Sequence, residues 1–259
     1  MKFWLLAGLA AVCLAAPPRI EVPEIIRLSV EANGRDWRAA PEYSYFAREQ
    51  TGSGSKTYQV LMILGSPFRK LVAINGEPLS AAQQRKEQIK LERAIARRRT
   101  ESSGARAARI EDYRRERRQE HVLLNQLTQA FDFRLLGQGL LNGREVYMLQ
   151  ATPRRGYRPP NRDSKVLIGM QGELWIDTQT YQWVKVEAEV IHPVWIEGFL
   201  ARVEPGTRFE LEYGPVTDEV WLPAHYAMQS RATVLFLFGR KDREEESYFG
   251  YRKAARLVD

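Results

Sequence analysis

The chain has 259 residues, with 39 Lys and Arg against 32 Asp and Glu, and a formal net charge of +7. Its 44% apolar and 10% aromatic residues can fill a core, which excludes wholesale disorder, and 18 Gly with 13 Pro exclude collagen-like or Pro/Gly low-complexity chains. A single cysteine excludes a disulfide framework and a cysteine-only metal cage.

The charge is local. Between Arg85 and Arg118 stand 13 Lys and Arg against six Asp and Glu, an excess equal to that of the whole chain. The rest of the sequence is neutral.

Met1–Ala16 holds one Lys and then an unbroken apolar run from Phe3, followed at once by Pro17-Pro18. A bilayer crossing needs roughly 18–20 residues, so this run is short for a span and fits a secretory signal. The expected signal covers residues 1–15, cut after Ala15 with Cys13 and Ala15 at the small-residue positions; an uncleaved anchor is the rival. A lipoprotein signal ending at Cys13 is the third possibility, although Ala10 and Val12 stand where Leu and then Gly or Ala are usual. Residues 16–259 are expected as one domain, exported to the periplasm. An exported cationic protein meets lipid headgroups and envelope polyanions before nucleic acid.

Pro23 to Trp37 predicts a first helix, with Ile25, Ile26, Val30 and Trp37 broadly on one face and Pro23 near its start. Asn33-Gly34 interrupts the pattern. Strands follow: one opening at Tyr43, Tyr45 and Phe46, then Tyr58–Leu64 after a Gly/Ser turn, then Phe68–Ile74, which ends at Asn75-Gly76.

Ser80 with Gln83 matches a capping box, and strong helix formers continue to about Arg99. Thr100 to Gly104 breaks the run, and a second helix is expected from about Ala105 to Ala130. Its last half packs through Leu123, Leu124, Leu127 and Phe131; its first half carries Arg114, Arg115, Arg117 and Arg118. Residues 80–130 thus predict an inserted helical hairpin whose basic tip stands away from the core.

From there the chain reads as successive strands: Phe133–Gly137, Glu145–Thr152, Glu173–Asp177, Trp183–Ile191, Arg208–Tyr213, Glu219–Met228, Thr233–Phe238 and Glu246–Arg252. Their spacing suits antiparallel neighbours. The expected fold is α+β and mainly antiparallel β: an unclosed or highly curved β-barrel of about eleven strands, with an N-terminal helix and the inserted hairpin.

Catalytic signatures are weak. His121, His192 and His225 lie far apart and lack zinc spacing, and His121 is expected to be solvated. Gly52–Thr57 fails as a phosphate loop, because Ser55 separates Gly54 from Lys56 and no helix follows. There is no Gly-x-Ser-x-Gly elbow; Asp177, Glu187 and Glu189 could in principle pair, but Glu187 and Glu189 alternate on one strand face as solvated residues do. No enzyme, metal or cofactor is expected.

The apolar stripes say more. Val184, Val186, Ala188 and Val190 alternate along one strand face, as do Phe209, Leu211 and Tyr213, and Val234, Phe236 and Phe238. Such stripes line either a packed interior or a hydrophobic cavity.

Three segments carry a family likeness: Gly143-Arg144-Glu145-Val146-Tyr147-Met148-Leu149, Gly172-Glu173-Leu174-Trp175-Ile176-Asp177 and Val220-Trp221-Leu222-Pro223. From about Glu24 onward the chain resembles the LolA/LolB-like superfamily of outer-membrane lipoprotein-sorting proteins. That resemblance implies an unclosed barrel covered by helices, and a lipid or lipoprotein acyl chain held in its concavity without catalysis. The expected lining is Leu174, Ile176, Val184, Val186, Val190, Phe209, Leu211, Tyr213, Val234 and Phe236. The alternative is an envelope interaction module that docks on an acidic partner or anionic membrane through Arg114, Arg115, Arg117 and Arg118. A monomer is expected, and nucleic acid is not: Tyr113 is the lone aromatic of the basic stretch.

Overall fold

The computed structural model describes residues 21–161, 163–196, 201–234 and 238–254. The expected signal, including Cys13, lies outside the described residues.

Helix α1 (Val22–Ala39) begins with Pro in its first turn. Its buried residues are Ile25, Ile26, Ser29, Ala32, Asn33 and Asp36, one face at helical spacing. The helix runs on through Asn33-Gly34, with Asn33 buried on that inner face. Strands β1 (Tyr43–Thr51), β2 (Gly54–Ile63), β3 (Ser66–Ile74) and the two-residue β4 (Glu77–Pro78) form a meander.

Helix α2 (Ala81–Arg99) starts at the capping box: the Gln83 N–H donates to Ser80 Oγ at 3.4 Å, and the Ser80 N–H to Gln83 Oε1 at 2.9 Å. Helix α3 (Ser103–Ala130) is capped by Ser102, whose hydroxyl accepts from the Ala105 N–H. The break between the helices is therefore confined to Thr100–Ser102.

Then come β5 (Phe131–Leu141), β6 (Arg144–Pro153), a 3-10 segment (Asp163–Gly169), β7 (Met170–Asp177) and β8 (Trp183–Val190). The short β9 (Val194–Ile196) and β10 (Ala201–Val203), neither expected, precede β11 (Arg208–Pro215), β12 (Trp221–Val234) and β13 (Phe238–Lys253). Val234 and Phe238, inside the strand expected over Thr233–Phe238, belong to two different strands. Strand β12 runs to Val234 and β13 starts at Phe238, paired there as a long hairpin.

One antiparallel path orders the strands β4-β3-β2-β1-β13-β12-β11-β8-β7-β6-β5, with β9 and β10 attached beside β12. The path does not close: β4 and β5 are its two ends. Register shifts in the β1–β13, β2–β3, β5–β6, β7–β8 and β11–β12 pairs add bends along it. At Gly172 the strands approach so closely that a Cβ would stand 2.3 Å from the Glu187 carbonyl oxygen.

The α2–α3 hairpin leaves the sheet at β4 and re-enters it at β5, so it straps one end of the open path to the other. Contrary to expectation, its tip is docked on the body. Arg98, 8% exposed, donates to the carbonyl oxygens of Ile63, Ser66 and Pro67, each at 2.9 Å. Arg109 donates to the Leu64 carbonyl and to Ser66 Oγ while paired with Glu101. A guanidinium supplies planar, multiple donors suited to a cluster of turn carbonyls. Leu64 and Gly65 both have positive φ in that turn, and a Cβ on Gly65 would meet Ile110 Cδ1 of α3 at 2.8 Å.

Candidate ligand-binding interior

Alternation along each strand gives the sheet an inner face, covered by α1, and an outer one. Register joins Leu149, Leu174, Val186, Leu211 and Tyr226 into one inner row across five strands. The next inner row is Ala151, Gly172, Ala188, Phe209 and Met228.

Ile25 and Ile26 of α1 pack on Tyr147, Leu149, Leu174, Ile176 and Trp183, with Leu127 of α3 and Phe133 against the same cluster. A second cluster, Ala130, Phe131, Leu167, Met170 and Val190, fills the end under the 3-10 segment. The side chains of Leu123 and Leu124 lie outside the described residues.

The expected lining is therefore divided by depth. Leu174, Ile176 and Val190 are buried within these clusters, whereas Val186, Phe209, Leu211 and Tyr213 are half-buried. Val184 leaves the set. A register shift pairs Ile176 with Trp183, so Val184 falls between pairs and packs on Val146 and Trp221 instead. Strict alternation along the strand could not reveal that one-residue slip. Phe236 lies outside the described residues, as does the side chain of Val234.

Beyond β12 the inner rows become polar. Tyr226 pairs in register with Glu246, which pairs in turn with Glu49. Tyr248 donates its hydroxyl proton to Glu246 at 2.5 Å, and burial together with that carboxylate raises the Tyr248 pKa. The apolar strip thus has a carboxylate and tyrosine margin on one side.

The polar part of the α1 face sits at the helix end. Asp36, 3% exposed, accepts from the Trp221 N–H at 3.0 Å and from Gln182 Nε2 at 3.2 Å, both at Oδ1. Burial raises its pKa to about 6, with these hydrogen bonds opposing the shift. Burial likewise pushes the Tyr213 hydroxyl up to about 12, against the hydrogen bond with Asn33. Sequence reasoning passed over Asp36. Its signal was available, because Ser29, Asn33 and Asp36 share the helical face of Ile25 and Ala32.

Two surface clefts lie outside this interior. A polar one of about 580 Å³ runs over the outer row Gln171, Glu189, Arg208, Gln229 and Arg243. On the same outer face Lys185 is held by Glu187 and Glu210 at 2.8 and 2.7 Å. Burial opposes the Lys185 charge, but the hydrogen bonds to those carboxylates prevail and raise its pKa. A smaller apolar cleft of about 380 Å³ lies between Ile168, Pro193, Val194 and Trp195, with Lys165 and His192 in its lining.

Asp177 is a turn residue. Its carboxylate accepts from the Gln179 and Thr180 N–H groups at 2.9 Å; burial pushes its pKa up, but these bonds prevail and hold it below the ordinary value. Contrary to the expectation of a solvated residue, His121 is half-buried and stacked on Trp37 at 4.5 Å between ring centroids. Burial lowers its pKa, with Arg117 and Arg38 adding to the shift.

The four expected surface arginines separate. Arg117 lies over the Trp37 ring, 4.4 Å from its centroid, and donates to the Trp37 carbonyl. Arg115 pairs with Asp112 and Arg118 with Glu111 on their own helix, while Arg114 is exposed. Among the described residues no group of three or more His, Cys, Asp or Glu is placed to hold a metal ion. No helix among them is long and apolar enough to cross a membrane.

No protein-family model matches the chain, and no curated protein does. Solved structures similar to it include a putative outer membrane lipoprotein-sorting protein domain from Vibrio parahaemolyticus, 13% identical, with a TM-score of 0.34, covering 90% of this chain and 94% of that one. A LolA superfamily protein from Nitrosomonas europaea is 11% identical, with a TM-score of 0.31 and coverage of 93% and 96%. A DUF1329 family protein from Desulfovibrio piger is 10% identical, with a TM-score of 0.33 and coverage of 92% and 95%. The strand order establishes the unclosed antiparallel path, and the packing of Ile25 and Ile26 places α1 on its inner face.

Proposed function

We propose that this chain is a non-catalytic binding protein of the bacterial periplasm that holds a lipid or lipoprotein acyl chain against the inner face of its open sheet. One observation carries the reading. Val186, Phe209, Leu211 and Tyr213 form a continuous apolar strip that α1 leaves half-buried. Burying such a strip under hydrocarbon is favourable by about 25 cal/mol per Å² of apolar surface. Leu174, Ile176 and Val190 continue the same sheet face beside it, so a chain that displaces Ile25 and Ile26 meets further apolar surface.

Export rests on the apolar Met1–Ala16 segment, and a role in lipoprotein or lipid trafficking or in envelope sensing follows from export plus an acyl site. An environment-sensitive acyl probe tests the binding itself. Its emission is expected to rise on adding the protein and to fall on competition with a long-chain fatty acid. Emission that stays at its value in buffer contradicts the proposal.

A further inference from the structure

The basic excess of the hairpin is presented on α2 rather than at Arg114–Arg118. Glu87, Ala94 and Arg98 face inward and are buried. At 100° per residue, Arg85, Ile89, Arg93, Lys86 and Arg97 occupy one outward arc of about 120°. All five are exposed, and Ile89 is 46% exposed at the centre of the four cations. None of those four takes part in an ion pair among the described residues. The nearest outward acid, Glu92, accepts from Gln88 Nε2 at 3.0 Å on the edge of the arc.

The helix is also held rigidly. Lys70 of β3 donates to Gln88 at 2.8 Å, Glu87 accepts from the Leu71 N–H, and Arg98 fixes the far end on the β2–β3 turn. Its inward face is thus spent, and the outward face is free to meet a partner.

We propose that this face of α2 docks the protein on an anionic phospholipid surface. Ile89 enters the headgroup layer, while Arg85, Lys86, Arg93 and Arg97 lay their aliphatic stems beside it and their charges on lipid phosphates. A lone central aliphatic ringed by flexible cations suits a fluid anionic surface; a nucleic acid would call for stacking aromatics, and α2 has none. The inference is independent of the acyl-binding reading, since it uses no inner-face residue.

Sedimentation with vesicles of phosphatidylglycerol and phosphatidylcholine in equal parts, against phosphatidylcholine alone, tests it on the full chain. Each Lys or Arg near such a surface strengthens partitioning about fivefold, so replacing all four by Gln is expected to cost on the order of several hundredfold on the anionic vesicles. Ile89→Ser is expected to weaken binding severalfold, and R114Q/R115Q/R118Q to leave most of it. Thermal melts of the four-Gln variant equal to the parent show that the fold is kept. Undiminished binding by that variant overturns the proposal. So does equal binding to both vesicle types, or retention on a polyanion such as heparin without vesicle binding.

Discussion

Asp36, one turn before the end of α1, accepts a hydrogen bond at 3.0 Å from the backbone N–H of Trp221, 185 positions later in the chain. The contact pins the inner helix to β12. It also buries a carboxylate whose pKa rises from 3.8 to about 6 in the folded protein. A raised folded-state pKa contributes stability that is fully present below 3.8 and lost as pH rises through about 6.

Asp36→Asn keeps the accepting oxygen and removes the charge. The variant is expected to be more stable than the parent at pH 7 by about 1–3 kcal/mol, and the gain should vanish towards pH 4. His121 titrates in both proteins, so the difference between them isolates Asp36. Urea titrations at several pH values measure it; a gap independent of pH contradicts the assignment.

Arg98 serves three carbonyl oxygens of one turn. Replacing it by Met leaves them without that donor in a buried place and is expected to cost about 2–4 kcal/mol. Arg97→Met, on the outward face, should stay within about 0.5 kcal/mol. Chemical denaturation of the two variants compares them, and equal losses would mean that the strap is not fixed at Arg98.

Gly65 combines φ of +89° with an Ile110 methyl in the place of a Cβ. Gly65→Ala is expected to lose about 1–3 kcal/mol, from the left-handed backbone and the crowding together. Ile110→Ala in the same chain should recover the crowding part, leaving about 1 kcal/mol. A double-mutant cycle reads the coupling, and strict additivity would place α3 away from the turn.

Ile25 is fully buried against the inner face, while Phe209 and Leu211 are half-buried on it. Ile25→Ala is expected to cost about 2–5 kcal/mol in stability. Phe209→Ser with Leu211→Gln should cost less, yet lower affinity for the acyl probe about tenfold or more, as two buried apolar contacts are worth over 1.4 kcal/mol. Probe titration beside thermal melts separates the two effects; unchanged affinity removes these residues from the site.

The elements were legible where local chemistry is strong. Ser80 with Gln83 marked the start of α2, and Asn75-Gly76 and Asn142-Gly143 marked hairpin turns in which both Asn residues have positive φ. Alternation gave the inner positions of β7 and β11. It failed at Val184, because a bulge is a relation between two strands and leaves no trace in one. The hairpin tip was misread for a similar reason. Arg98 and Arg109 look like solvated cations until the Ile63–Pro67 turn, distant in sequence, supplies their acceptors. Trp37 and His121 likewise become neighbours only once α3 straps the open sheet.

The most direct test of the central proposal is native mass spectrometry of the protein purified gently from cells that export it. A mass increment matching one or a few acyl-chain lipids, reduced in the Phe209→Ser/Leu211→Gln variant, is the predicted result. A spectrum showing only the bare chain, with no lipid recovered by solvent extraction, contradicts an acyl-binding interior.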